Sequence, residues 1–403
     1  MSLIRTGEKV FRNEYHKGRM IMQQLRGMIY TEQFTFEPGE LRIEGDAICE
    51  VNLCDSETLT EEERKRYLLP GLIDIHFHGC AGYDFCDGTT EAFRAIADYE
   101  LTHGITTICP ATMTFSEEKL AAICSACASY AEEDRTEPVS FREIIRGIYL
   151  EGPFISYEKR GAQNPAYIAS PDLGMLERLQ KAAAGLVKVV AIAPETEGAM
   201  GCIRNGSGKF RFSVAHTCAD YDTARSAFEA GAAQVTHLYN AMPPISHRAP
   251  GVIGAAADDE RVMAELICDG IHVHPAMVRN TFKLFGAERM ILISDSMMAA
   301  GMPDGDYSLG GQAVKVEGSR ALLADGTIAG SATNLFDCMK KAISMGVPKE
   351  EAVRAASYNP AKAIGIADSH GTLSVGKKAD ILITDQDFVL HEIMKSGKGI
   401  LCR

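Results

Sequence analysis

The stretch Leu68-Leu69-Pro70-Gly71-Leu72-Ile73-Asp74-Ile75-His76-Phe77-His78 is an apolar run that ends on two histidines spaced one residue apart. In an extended strand, residues i and i+2 point to the same face, so the run predicts both imidazoles projecting together from the end of one β-strand. Two neutral imidazoles converging on one point suit a divalent transition metal. A similar ending recurs along the chain. The apolar runs 145–150, 212–215, 232–236 and 290–294 are followed by Glu151, His216, His237 and Asp295. One histidine after a strand is accounted for by packing or solvent; five such endings are not.

Working outward, eight strand-like runs cover 71–78, 105–109, 145–151, 187–193, 212–216, 232–237, 262–267 and 290–294. Helical patterns lie between them, among them 91–102, 117–130, 173–184, 219–230 and 275–285. Buried, nearly continuous apolar strands alternating with helices predict an α/β fold, a (β/α)8 TIM-like barrel over residues 70–368. In that fold the active site lies at the C-terminal ends of the strands, where all the candidate ligands sit. The flanks read differently. Residues 1–69 carry short alternating stretches with glycine punctuation, and 371–385 is again strand-like. Together 1–69 and 369–403 predict a small β-sandwich domain built from both termini. Thr60-Glu61-Glu62-Glu63 has the pattern of a capping box opening a short helix. The glycine-rich segment 301–330 predicts hairpins inserted after the last barrel strand.

A chain of 403 residues with 46% hydrophobic composition can bury a large core. A formal net charge of −13 argues against nucleic acid and anionic membrane as partners, though a few local cations suffice for an anionic substrate. No apolar stretch approaches the roughly 18–20 residues of a membrane-spanning helix, and the first nine residues lack the pattern of a signal peptide. The twelve cysteines are scattered. Cys109 and Cys268 sit in apolar runs, and Cys124-Ser-Ala-Cys127 lies in an alanine-rich helical stretch with no second pair nearby. Reduced thiols and a cytoplasmic address fit this usage.

The candidate ligands in chain order are His76, His78, Glu151, His216, His237 and Asp295. Imidazoles and carboxylates without thiolates fit Zn2+ or Fe2+, and a carboxylate among several histidines can ligate one ion or bridge two. An ion with an open coordination position lowers the pKa of a water toward neutrality. Asp295 is placed to take a proton from that water and hand it to a leaving group. Of the other histidines, His103 at a helix C-terminus suits the dipole, and His247 and His274 read as surface residues.

The motifs Pro70-Gly-Leu-Ile-Asp-Ile-His-Phe-His-Gly79, Leu150-Glu-Gly-Pro-Phe154, Val214-Ala-His-Thr217, Thr236-His-Leu-Tyr-Asn-Ala-Met-Pro243, Asp269-Gly-Ile-His272 and Ser294-Asp-Ser-Met297 resemble the amidohydrolase superfamily. Within it, they resemble the N-acetylglucosamine-6-phosphate deacetylases over nearly the whole chain. That resemblance implies metal-dependent hydrolysis of the N-acetyl group of an amino-sugar 6-phosphate, with Glu151, His216 and His237 on the principal metal and Asp295 as general base and acid. It places Ala162 and Gln163 over the sugar, Asn240 and Ala241 at the phosphate, Asp269 to His272 after strand 7, and Ile328, Ala329 and Gly330 along the sugar. It also implies a homodimer in which Arg248 reaches the phosphate in the neighbouring subunit, a task the planar guanidinium suits. Because His76 and His78 are both present, a second ion is implied beside them, held with Asp295 and bridged by Glu151. Gln163 stands where some relatives carry a histidine, and it can donate a hydrogen bond to the acetyl carbonyl but not a proton.

Three alternatives stay open. The galacto-epimer of the substrate differs by one hydroxyl orientation. A cyclic-amide hydrolase resembles the chain in strand 1 but would use a lysine at the end of strand 4, where Lys188 lies too early. A catalytically silent scaffold would be expected to have lost ligands or the base.

Overall fold

A computed structural model describes residues 22–136 and 139–400, so the first nine residues lie outside what is described here. The chain divides into two compact units, Leu72–Ala367 and the combination of Met1–Gly71 with Asp368–Arg403.

In the larger unit eight short strands follow one another: β1 (Leu72–Asp74), β2 (Ile105–Ile108), β3 (Ile148–Leu150), β4 (Val187–Ile192), β5 (Arg211–Val214), β6 (Gln234–Val235), β7 (Met263–Ile267) and β8 (Met290–Ile293). Every neighbouring pair from β3 to β8 is parallel, as is β1 with β2. Pro110 has no N–H to give a ladder and interrupts β2. The chain resumes at Ala111–Thr112, which pairs with β3. The ring closes where β8 meets β1: Asp295 N donates to His76 O at 3.0 Å, and His78 N to Ser296 O at 2.7 Å. The result is a TIM-like barrel whose last seam is stitched by the candidate ligands themselves.

Helices separate the strands, and several are begun by a polar residue that accepts a first-turn N–H, among them Thr89, Ser116, Asp172, Asp220 and Asn334. Pro275–Phe285 matches its predicted bounds, with exposed His274 as its cap. Gly251–Asp258 is a helix that the sequence pattern does not predict, because two glycines and a run of alanines give it little amphipathic signature. After β8 comes the expected insertion, a four-stranded antiparallel sheet of Gly305–Leu309, Gln312–Glu317, Arg320–Leu322 and Ile328–Ser331. Its last strand returns to the barrel, with Ser331 N donating to Asp295 O at 2.7 Å. A Cβ on Gly330, whose φ is +69°, would lie 3.0 Å from that same carbonyl, so this close approach needs glycine.

The smaller unit contains one continuous seven-stranded sheet rather than two separately bonded ones. Its order is Lys398–Ile400, Leu390–Lys395, Ile381–Thr384, Tyr67–Pro70, Gln23–Tyr30, Phe36–Glu44, Ala47–Leu53. Tyr67–Pro70 joins the two termini, antiparallel to Ile381–Thr384 and parallel to Gln23–Tyr30. Ile48 N donates to Lys377 O and Ala379 N to Asp46 O, so the far hairpin folds back onto the segment before Ile381–Thr384. The curled sheet encloses Leu25, Ile29, Leu41, Ile43, Ile48, Ile381 and Met394. The capping box forms as predicted, Glu63 N donating to Thr60 Oγ1 and Thr60 N to Glu63.

Candidate active site

All six candidate ligands leave the C-terminal ends of barrel strands, where this fold gathers its chemistry. His76 and His78 follow β1, Glu151 follows β3, and His216, His237 and Asp295 come two residues after β5, β6 and β8. Those last three have φ values of +43°, +28° and +47°. Non-glycine residues rarely adopt this left-handed region, and holding them there costs energy that the surroundings must supply. Here Ser156 N ties His216 O at 2.9 Å, and the β8–β1 seam ties Asp295. The turn brings distant side chains to one point.

Glu151 is the centre. Its Oε1 lies 3.2 Å from His216 Nε2, 3.1 Å from His237 Nε2 and 3.3 Å from His76 Nε2, while Oε2 lies 3.2 Å from His78 Nε2. Asp295 Oδ1 is 3.3 Å from His78 Nε2 and 3.9 Å from His76 Nε2. Two groups result, His76–His78–Glu151 and Glu151–His216–His237, sharing one carboxylate. Their fit to a divalent metal rests on the donors. His216 Nε2 and His237 Nε2 stand 3.1 Å apart and aim at the same oxygen, and the buried Nε2 of His76 has no hydrogen-bond partner. Four imidazoles and two carboxylates without thiolate are donors for ions of the Zn2+ or Fe2+ kind.

The electrostatics point the same way. Burial opposes charge on His76, His78, Glu151 and Asp295. Even so, Asp295 and Glu151 hold the His78 imidazole up to about 10, and Glu265 and Glu151 raise His76. Against burial, the imidazoles in turn hold Glu151 well below the usual carboxylate range and lower Asp295. A divalent cation would take the place of protons on His76 and His78.

Above the cluster opens a cavity of about 360 Å3. His78, Glu151, His216, His237 and Asp295 border it, with Ala162, Gln163, Asn240, Ala241, His272, Ile328 and Gly330. Ala329 does not line it, as the two-residue period of Ile328–Ser331 requires, and is fully buried. Asp269 also stays behind the wall, its Oδ2 2.7 Å from His272 Nδ1. Despite burial, that bond raises the His272 pKa. Arg248 lies on an exposed loop and is not among the residues lining its own chain's cavity. Gln163 is held at both ends. Its Nε2 donates to Glu151 Oε2 at 2.6 Å, and its Oε1 accepts from Thr114 N at 2.7 Å.

The amidohydrolase family profile matches residues 67–400. The chain belongs to the amidohydrolase family. It is 38% identical to the N-acetylglucosamine-6-phosphate deacetylase of Bacillus subtilis (strain 168), over 79% of this chain and 81% of that protein. It is 33% identical to the N-acetylgalactosamine-6-phosphate deacetylase of Escherichia coli O157:H7, over 92% and 97%. Among solved structures, a mutant N-acetyl-D-glucosamine-6-phosphate deacetylase from Mycobacterium smegmatis, in complex with N-acetyl-D-glucosamine-6-phosphate, aligns with a TM-score of 0.85. It is 34% identical, over 93% of this chain and 98% of that one.

Within this amidohydrolase, sequence reasoning missed several groups. Lys159 is the one lysine or arginine among the cavity's lining residues, and its carbonyl lies 2.8 Å from His216 Nδ1. A main-chain contact leaves no mark in the sequence. Glu265 is fully buried in mid-strand and 2.8 Å from His76 Nδ1. Its signal was available, a lone carboxylate inside Met263-Ala-Glu-Leu-Ile267. Lys188 lies near the start of β4, and a Cβ on Gly147, just before β3, would meet its Cγ at 2.6 Å. That puts its stem at the opposite end of the strands from the ligands, where a metal-bridging lysine would be useless. None of the described cysteines forms a disulfide, and no helix among the described residues is long and apolar enough to cross a membrane.

Proposed function

We propose that this chain hydrolyses the N-acetyl group of N-acetyl-D-glucosamine 6-phosphate to D-glucosamine 6-phosphate and acetate. The observation that carries the reading is Asp295 at the rim of two histidine groups that share Glu151, in a chain this similar to known deacetylases. A bound Zn2+ or Fe2+ ion would supply Lewis acidity toward water and the acetyl carbonyl. Glu151, His216 and His237 would hold one ion; His76 and His78, with Asp295 and the bridging Glu151, would hold a second. Asp295 takes the proton of the attacking water and returns it to the nitrogen as the C–N bond breaks, because an unprotonated amide anion is too basic to leave. Gln163 Nε2, already bonded to Glu151, would turn its other N–H from Met113 Sδ, 3.6 Å away, to the acetyl oxygen.

Ala162, Ile328 and Gly330 would border the sugar. Asn240 and Ala241 would meet the phosphate, and His272, oriented by Asp269, would contact the substrate. Arg248 would reach it from the second subunit of a homodimer; its exposure on the loop after β6 supports that role. We further propose a cytoplasmic location. We also propose that residues 1–69 with 369–403 form a β-sandwich-like domain apart from a catalytic barrel of 70–368.

A second reading, the galacto-epimer, is favoured by the Escherichia coli relative, which the chain matches along almost all of its length. The test is acetate release across N-acetylglucosamine, N-acetylgalactosamine and their 6-phosphates. Preference for N-acetylglucosamine 6-phosphate is expected. Preference for the galacto-compound would install the second reading, and equal turnover with and without phosphate would refute both.

A further inference from the structure

Glu265 is a carboxylate in the middle of β7, fully buried, where an apolar residue would cost less to desolvate. Both of its oxygens are engaged. Oε2 lies 2.8 Å from His76 Nδ1 and 3.2 Å from the main-chain N of His237. Oε1 accepts from Gln234 Nε2 in β6. Gln234 Oε1 accepts in turn from Arg211 Nε in β5 at 2.6 Å, and Arg211 Nη2 donates to Ala233 O at 2.8 Å. Since β8 lies between β7 and β1, the contact with His76 crosses the barrel lumen. The chain Arg211–Gln234–Glu265–His76 thus runs from the lower end of β5 to the ligand cluster.

The four imidazoles are not held alike. His216 Nδ1 faces a neutral carbonyl, that of Lys159, and the Nδ1 atoms of His78 and His237 have no partner among the described residues. Of the four, His76 is the one whose Nδ1 is bonded to a carboxylate. With its Nδ1–H given to Glu265, the ring presents a bare Nε2 toward Glu151, the tautomer a ligand needs. The segment of His237 has a separate anchor, Leu238 N to the main-chain oxygen of Glu265 at 2.8 Å, which survives any change of the side chain. The device therefore acts on one of the two groups.

We propose that Glu265 is a positioning residue that sets how tightly the His76–His78 group holds its ion, and that Gln234 and Arg211 hold Glu265 for that purpose. The inference rests on the two-ion reading above. In Glu265→Gln, an oxygen turned to His76 leaves an amide NH2 facing that of Gln234, so the chain is broken with volume conserved. Gln234→Ala removes the support one step further away.

Zinc content per chain and chelator competition, measured on wild type and both variants after zinc loading, provide the test, with thermal melts of the zinc-free proteins as a fold control. The wild type should bind two ions. Glu265→Gln should keep the first at wild-type affinity and bind the second about 10- to 100-fold more weakly; Gln234→Ala should shift the second ion in the same direction by less. Folded variants that keep both ions at wild-type affinity, or weaken both in parallel, would overturn the proposal. A wild type that saturates at one ion would overturn the two-ion reading and this inference with it, and that result needs no variant to be seen.

Discussion

Two of the clusters that bury charge in the molecule finish the job differently. In the terminal unit, Lys395 Nζ meets Asp380 Oδ2 at 2.7 Å, and Ser396 N donates to Asp380 Oδ1 at 2.9 Å. Cation, anion and main-chain donor are all supplied by the chain, so that balance is closed. At the barrel mouth, Glu151 and Asp295 face four imidazoles and the neutral Gln163 amide, and the buried Nε2 of His76, which points at the cluster, is left without a hydrogen-bond partner. Unpaired buried polar groups are costly, and this balance stays open until a cation completes it. A closed pair can only hold a fold together. An open one can bind, and the difference predicts where substitutions will hurt activity and where they will hurt only stability.

The largest effect should come from Asp295→Asn. The amide keeps the shape of the carboxylate but cannot take a proton from water at neutral pH or return one to nitrogen. A positioned acid–base group contributes about 10²- to 10⁴-fold, and one that serves both steps belongs at the upper end. Acetate release should fall by about that upper factor, with the ion held by Glu151, His216 and His237 retained in elemental analysis. Retention of about a tenth of wild-type turnover, far short of that loss, would give the proton to another group.

Arg248→Ala asks whether the open site is also completed by a second chain. Losing a charge-assisted bond to phosphate should lower kcat/KM about 10- to 100-fold for the 6-phosphate and leave the unphosphorylated sugar unaffected. Mixing Arg248→Ala with Asp295→Asn chains sharpens the test. In a mixed dimer, one site would combine an intact Asp295 with an intact Arg248 from the other chain, so activity should return. No recovery from dimers shown to have exchanged subunits would place Arg248 in its own chain's site or outside the site altogether.

The open site was legible in the sequence because its ligands are punctuation: each follows an apolar run, and barrel topology brings strand ends together whatever lies between. Its support was not. Glu265 looks like a misplaced charge until the lumen puts it beside His76, a contact between residues 189 positions apart. Lys159 acts partly through a carbonyl that every residue possesses. The terminal unit was read as β-structure from its alternation. That it is one continuous sheet depends on Tyr67–Pro70 pairing with strands from both ends of the chain, and pairing over such separations leaves no local pattern.

The closed pair gives the smallest expected effect on turnover. Lys395→Met leaves Asp380 buried with the main-chain N of Ser396 and, 3.8 Å away, His370 Nε2. Breaking one partner of a buried ion pair costs about 3–5 kcal/mol, whereas replacing both by apolar groups of similar volume is often neutral. Lys395→Met should therefore lower the thermal midpoint markedly, and Lys395→Met with Asp380→Leu should recover much of it. Asp380 also accepts from the main-chain N of Ser396, whose donor the leucine cannot satisfy, so recovery should stop short of wild type. Neither variant touches a cavity residue, so kcat/KM per folded molecule should match wild type in both. A double variant as unstable as the single one would mean that Asp380 matters for its main-chain bond more than for its charge. A fall in kcat/KM without loss of fold would mean that the charge in the terminal unit bears on the barrel's chemistry, and the contrast between the two buried clusters would fail.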